Sequence, residues 1–176
     1  VYTNVRGTEI TQIFERVPML APFYTDFEKN YDVDFWHQWS KDTWPTVPLA
    51  LCAIYLVAIF GGQYYMKDKK PMVLKYELAA WNLFLSLFSF WGASRTVPWM
   101  LYRIFNESFE DTVCKSAHVS FGAGTAGLAT QMFIISKIPE LVDTVFLVLK
   151  KKPVIFLHWY HHITVLLYCW NSYVTE

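Results

Sequence analysis

Apolar positions in the middle and later parts of this chain follow neither a strand nor a helix period. They gather in uncharged blocks separated by short basic or polar stretches. The first block covers 47–66, VPLALCAIYLVAIFGGQYYM, and is long enough to cross a bilayer as one helix. KDKKPMVLK follows, carrying Lys67, Lys69, Lys70 and Lys75. A second block, 78–94, is closed by Arg95, which either snorkels to headgroups or pairs inward. The polar stretch 103–118 predicts a loop. A third block runs from about Phe121 to Leu149 and ends in Lys150, Lys151 and Lys152. It opens with FGAGTAG, whose small residues allow close helix contact; no Gly-Lys-Ser/Thr follows to suggest a phosphate loop. The fourth block covers about Val154 to Tyr173. The pattern predicts an all-α polytopic transmembrane helix bundle over 46–176, with about four spans. Residues 1–45 precede it as a lumenal or interfacial tail. The tail's end, YDVDFWHQWSKDTWP, is dense in Trp and Tyr, as suits a membrane interface, and His37 within it reads as a solvated histidine.

The lysine clusters follow the first and third blocks, so both fall on one side of the bilayer. Lysine-rich short loops stay in the cytosol. The tail, the 103–118 loop and the end of the chain then face the lumen or exterior. Asn106-Glu107-Ser108 is a sequon in that loop, which makes Asn106 a candidate N-glycosylation site. The chain begins on Val1 and ends on Glu176 just after an apolar block, and so reads as a fragment. Its start lacks the basic and apolar pattern of a cleavable signal peptide.

Composition agrees with the membrane reading. Apolar residues make up 54% and charged residues 17%, against roughly 25% charged in soluble domains. A net charge of +0 argues against a nucleic-acid partner. Cys52, Cys114 and Cys169 have no metal-like spacing, and an odd count gives no disulfide framework.

Two polar constellations interrupt the apolar blocks. From Pro153 to Thr175 there is no charged residue, yet His158, His161 and His162 fall at i, i+3 and i+4, on one helix face. Three polar rings on one face of a buried or spanning helix are costly, and this marks a candidate site. The bland alternative is three histidines satisfied by backbone or water. The preceding block carries Lys137, Glu140, Asp143 and Thr144 around Pro139, a residue that can kink the helix. One reading has Glu140 and Asp143 hydrogen-bonding the imidazoles of the next helix. Its rival is an internal Lys137–Glu140 ion pair that serves packing.

A histidine face supports three chemistries. His-x-x-His-His resembles one histidine box of the di-iron membrane desaturases and hydroxylases; that class needs further boxes, and since only His37 and His118 remain here, this reading stays open on boxes outside these residues. A neutral imidazole can instead attack a thioester and form an acyl-imidazole, with a neighbouring histidine as base or orienter and no metal. Haem ligation or a proton path usually uses single, separated histidines.

Lys137-x-x-Glu140-x-x-Asp143-Thr144, a basic turn, and then FLHWYHHITVLLY together resemble the very-long-chain fatty acid elongase family at every defining position. The flavour of the histidine segment is similar to the branch acting on saturated and monounsaturated acyl-CoAs. The resemblance covers about 47–176 and implies the N-terminal part of a seven-span condensing enzyme of the endoplasmic reticulum membrane. It implies joining of a long-chain acyl-CoA to malonyl-CoA, giving 3-oxoacyl-CoA, CO₂ and CoA, with no cofactor and no metal. On this reading His161 attacks the thioester, His162 or His158 serves as base or orienter, and Lys137, Glu140, Asp143 and Thr144 support them. Lys150, Lys151 and Lys152 are candidate contacts for the CoA phosphates. The expected partners are the bilayer, other elongation-cycle enzymes and further copies of the chain. The later family motifs, a tyrosine-rich one among them, are expected outside these residues.

Overall fold

A computed structural model describes residues 2–3, 9–114 and 123–175. Among the described residues the regular elements are helices apart from two antiparallel two-residue strands, β1 (Tyr2–Thr3) and β2 (Glu9–Ile10), with Tyr2 opposite Ile10. Short elements come first: α1 (Ile13–Arg16), a 3₁₀ turn (Pro18–Phe23) and α2 (Asp26–Lys29). They are followed by α3 (Asp34–Thr43), α4 (Thr46–Met66), α5 (Lys75–Asn106) and α6 (Phe109–Cys114). After the undescribed 115–122 come α7 (Gly124–Glu140), α8 (Val142–Leu149) and α9 (Phe156–Thr175). The expected all-α class therefore holds. By length and composition, α4 is the one described helix apolar enough to cross a membrane. The other blocks fall short of that measure for separate reasons. Trp, Asn and Ser dilute α5, the third block is split into two helices, and three histidines and Asn171 dilute α9.

The chain forms two compact units. The first takes in residues 1–39 and 88–133. Here the N-terminal segment is tied down by polar contacts. Glu28, buried, accepts from Arg95 Nη2 at 3.1 Å, from Trp91 Nε1 at 3.2 Å and from the Thr25 amide at 3.1 Å. Arg95 thus takes the inward of its two options. Gln12 donates through Nε2 to the Lys29 carbonyl at 2.7 Å. It also accepts the Thr125 amide at 3.2 Å, so its side chain caps α7. Gly124, at φ +63°, precedes that amide, and its own N–H donates to the Tyr31 carbonyl at 2.8 Å; a Cβ there would collide with the Gln12 side chain. The Tyr31 hydroxyl donates to Gln131 Oε1 at 2.7 Å, and burial raises the phenol above its ordinary value, keeping it a neutral donor.

Two expectations fail in this region. Residues 103–114 are not loop: α5 continues to Asn106 and α6 follows. The charges read as loop are helix supports. Arg103 Nε donates to Glu107 at 3.0 Å one turn on, and the Ser108 hydroxyl accepts the Asp111 amide at 3.0 Å as an N-cap. Residues 115–118, with His118, and Phe121 and Gly122 of the small-residue run lie outside the described residues. His37 is not solvated but 3% exposed. It shares the inner face of α3 with Ser40, while Phe35, Trp36 and Trp39 point outward. Asn106 is exposed, its amide donating to the Tyr102 carbonyl.

The second unit spans 40–87 and 134–175. Its core is a seam of α4 against α8 and α9. On α4 the buried residues Cys52, Tyr55, Ile59 and Met66 recur at helical spacing; on α9 Leu166, Trp170 and Val174 do the same. Cys52 packs with Leu166 and Trp170, and Tyr55 and Ile59 with Val148, Leu141 and Trp159. Gly62 lets α4 approach α8 closely, since a Cβ there would lie 3.1 Å from Val148 Cγ1.

Candidate functional site

The third apolar block breaks at Leu141. Pro139 has no N–H to offer the carbonyl four residues back, and the ladder shortens, the Leu141 amide bonding Ile138 at 3.1 Å. The break changes the phase between the two halves of Lys-x-x-Glu-x-x-Asp-Thr, so its members find separate partners. Lys137 Nζ donates to both Glu140 oxygens, at 2.7 and 2.9 Å, and the Ser136 hydroxyl donates to Oε1 at 2.9 Å. Asp143 accepts from the indole N–H of Trp81 on α5, and Trp81 also packs on Phe146. Thr144, fully buried, lies 2.7 Å from the Tyr55 hydroxyl on α4 and 3.0 Å from His158 Nε2 on α9.

The structure does gather the imidazoles. His158 and His162 have ring centroids 4.8 Å apart at an interplanar angle of 70°, and His161 lies 5.7 Å from His162. Tyr55 presents its ring to His162 at 6.0 Å. His158 and His162 are half-buried and His161 is exposed. Of the two readings open from sequence, carboxylates bonded to these rings and an internal Lys137–Glu140 ion pair, the structure shows the pair and, among the described residues, no carboxylate–imidazole hydrogen bond. Glu140 pairs along its own helix and Asp143 bonds an indole, while the imidazole contact falls to the Thr144 hydroxyl. Among the described residues, no group of three or more His, Cys, Asp or Glu side chains is arranged to hold a metal ion.

Tyr55 and Trp81 were missed from sequence. Both stand in uncharged blocks, where a buried phenol or indole must find a polar partner, and that need was the available signal.

The two lysine-rich stretches lie side by side at one end of this unit. The Met72 amide donates to the Leu149 carbonyl at 3.0 Å, and Lys151 Nζ donates to the carbonyls of Lys67 and Lys69 at 2.8 and 2.9 Å. Lys151 closes α8 at φ 53°. Its amide bonds the Val148 carbonyl at 3.0 Å and that of Lys152 bonds Leu147 at 2.9 Å, the paired bonds of a Schellman C-terminus. Lys151 is thus committed to backbone, whereas Lys150 and Lys152 hold no side-chain bond of that kind among the described residues. Thr144 precedes Leu149 by five residues, or about 7–8 Å along the helix, so the imidazoles sit near this basic end.

Comparison with known proteins places this geometry in context. A family model described as the GNS1/SUR4 family matches residues 40–176. Over 149 residues the chain is 42% identical to a Gallus gallus protein named Very long chain fatty acid elongase 6, covering 84% of this chain and 55% of that relative. The Drosophila melanogaster protein of the same name is 40% identical over 148 residues, covering 84% and 46%. Fatty acid elongase 3 of Trypanosoma brucei brucei is 36% identical over 176 residues, covering 87% and 58%. The chain spans about half the length of the curated relatives it matches. No solved structure matches it.

Proposed function

The match over 40–176 covers most of the chain, which therefore belongs to the GNS1/SUR4 family, and from that premise we propose that it is the N-terminal part of a fatty acid elongase. The reaction joins a long-chain acyl-CoA to malonyl-CoA and gives a 3-oxoacyl-CoA two carbons longer, with CO₂ and CoA. One observation carries this reading: three imidazoles are gathered on α9, one of them bonded to a buried hydroxyl, close to a lysine-rich end.

The chemistry runs in two balanced halves. His161, the exposed ring, attacks the thioester carbon; the C–S bond breaks, and the CoA thiolate takes up the proton the imidazole gives up. His162, half-buried beside it, relays that proton. Malonyl-CoA then loses CO₂, and its carbanion attacks the acyl-imidazole. A C–C bond forms, the C–N bond breaks, and the ring regains a proton from solvent. Lys150 and Lys152, with Lys67 and Lys70, attract the CoA phosphates, while the acyl chain enters the apolar bundle. The supporting residues act at one remove, through the Lys137–Glu140 pair and the Trp81–Asp143 bond.

The setting we propose is the endoplasmic reticulum membrane, with four of the family's spans in this chain, the lysine end in the cytosol and residues 1–45 on the lumenal side. Partners there are the enzymes that complete each elongation cycle and further copies of the chain. The test is incorporation of labelled malonyl-CoA into lipid by membranes carrying the full-length parent chain, across a panel of acyl-CoAs, with His161→Ala as control. Product two carbons longer, lost in the control, is the expected result. Near-full condensation by folded His161→Ala refutes the nucleophile assignment. Stoichiometric iron with oxygen-dependent product would replace the whole reading with a histidine-box desaturase or hydroxylase.

A further inference from the structure

The Tyr55–Thr144–His158 chain fixes where its hydrogens lie. The Tyr55 side chain is 4% exposed and Thr144 is 0% exposed. Among the described residues the phenol has Thr144 as its one hydrogen-bond partner, and Thr144 has Tyr55 and His158. A phenol and a threonine hydroxyl each carry one hydrogen that needs an acceptor, and a neutral imidazole carries one N–H.

Three proton arrangements are open to the chain. If His158 Nε2 carries the hydrogen and donates to Thr144, and Thr144 donates to Tyr55, the buried phenol hydrogen has no acceptor. If both His158 and Tyr55 donate to Thr144, the threonine hydrogen is the orphan. Thr96, Thr130 and Thr164 each donate back to the carbonyl four residues earlier; Thr144 makes no such bond among the described residues. In the third arrangement Tyr55 donates to Thr144, Thr144 donates to His158 Nε2, both buried hydroxyl hydrogens are placed, and the hydrogen left over is the N–H of the half-buried ring. Orphaned buried donors are the costly outcome, so the third arrangement prevails.

We propose that Thr144, itself held by Tyr55, fixes His158 as the neutral Nδ1–H tautomer, and that His158 serves as a hydrogen-bond donor rather than a base. This role rests on the condensation reading. The Nε2 lone pair is taken by the threonine, and Nδ1 carries a hydrogen, so the ring has no free lone pair with which to accept a proton or attack a carbonyl. The half-buried Nδ1–H has no partner among the described residues. It suits the developing negative oxygen of the thioester under attack. Of the three imidazoles, His161 and His162 are left for nucleophile and base. Thr144 and Tyr55 are positioning residues, acting through His158.

A free histidine side chain favours the Nε2–H tautomer, so the inference runs against the default. The test is the ¹⁵N spectrum of the full-length parent chain in lipid bilayers, labelled at histidine, with the His158 signals found by difference against His158→Asn. A protonated Nδ1 and bare Nε2 are expected in the parent and in Thr144→Ser. Loss of that single form is expected in Thr144→Val and in the fully apolar pair Tyr55→Phe with Thr144→Val, which removes the orphaned phenol in case the single variant does not fold. Should the Nδ1–H form fall to about a tenth of the population, kcat falls about tenfold with KM little changed. An Nε2–H parent, or an unchanged spectrum in the valine variants, overturns the proposal. The spectrum needs no turnover: the expected tautomer in a protein that makes no 3-oxoacyl-CoA would sink the elongase reading and leave the threonine's hold on His158 intact.

Discussion

Lys151 combines a strained backbone with a useful side chain, and substitution separates the two. At φ 53° it occupies the C′ position that glycine usually fills, while its amine donates to the carbonyls of Lys67 and Lys69 at 2.8 and 2.9 Å. The left-handed conformation costs a non-glycine residue about 1 kcal/mol. A hydrogen bond from a charged donor is worth about 1.5–3 kcal/mol when buried. Lys151 is exposed, so screening by water reduces the two bonds together to about 1–1.5 kcal/mol. Lys151→Met keeps the strain and loses the latch, so it is expected to destabilise by about 1 kcal/mol. Lys151→Gly loses the latch but relieves the strain, and the terms nearly cancel to within about 0.5 kcal/mol of the parent. The assay is thermal unfolding of the full-length parent in one detergent, the three proteins side by side, with Tm ranked parent ≈ Gly > Met. A methionine variant as stable as the parent would mean that the amine holds nothing. A glycine variant less stable than the methionine one would mean that the turn carries no strain.

Two further outcomes follow from the first unit. Glu28→Gln leaves the Arg95 guanidinium without its counter-charge in a largely buried setting, and a loss of about 2–3 kcal/mol is expected by thermal unfolding. Replacing both Glu28 and Arg95 by Met should recover most of it, and no recovery would show that Trp91 and Thr25, not the charge, set the cost. Gly124→Ala forces a Cβ against the Gln12 amide at positive φ, costing about 2–3 kcal/mol in strain and lost capping. Hydrogen exchange at the Thr125 amide should quicken; unchanged protection would refute the capping role of Gln12.

The sequence made some features readable and hid others for identifiable reasons. An uncharged run from 47 to 66 has little choice but a helix, and α4 covers it nearly residue for residue. Pro139 announced the interruption that appears at Leu141. The 103–114 stretch was misread because its charge was counted and its spacing was not: Arg103 and Glu107 at i, i+4, and Ser108 with Asp111 three residues on, are helix signals. His37 was misread because burial of an interfacial helix face depends on what packs beneath it. Arg95 had two open options, and the deciding partner, Glu28, lies 67 residues away. Lys151 read as charge alone, since a C′ lysine carries no mark that a glycine would.

The candidate site turns on a difference between two kinds of hydrogen-bond partner. One of the two readings open from sequence puts carboxylates against the imidazoles. A carboxylate only accepts, so it would take a ring N–H and leave the other nitrogen with a lone pair, ready to act as nucleophile or base. A hydroxyl that is itself held by a phenol donates, so it takes the lone pair and leaves an N–H. The break at Leu141 decides between these outcomes. It leaves Lys137 and Glu140 closed on each other, sends Asp143 to Trp81, and brings Thr144 to His158. The four polar residues of the motif thus do three jobs instead of one shared job. It follows that Asp143→Asn and Thr144→Val should differ in kind. The first alters an indole contact and no hydrogen bond to a ring; the second changes which nitrogen of His158 carries the hydrogen.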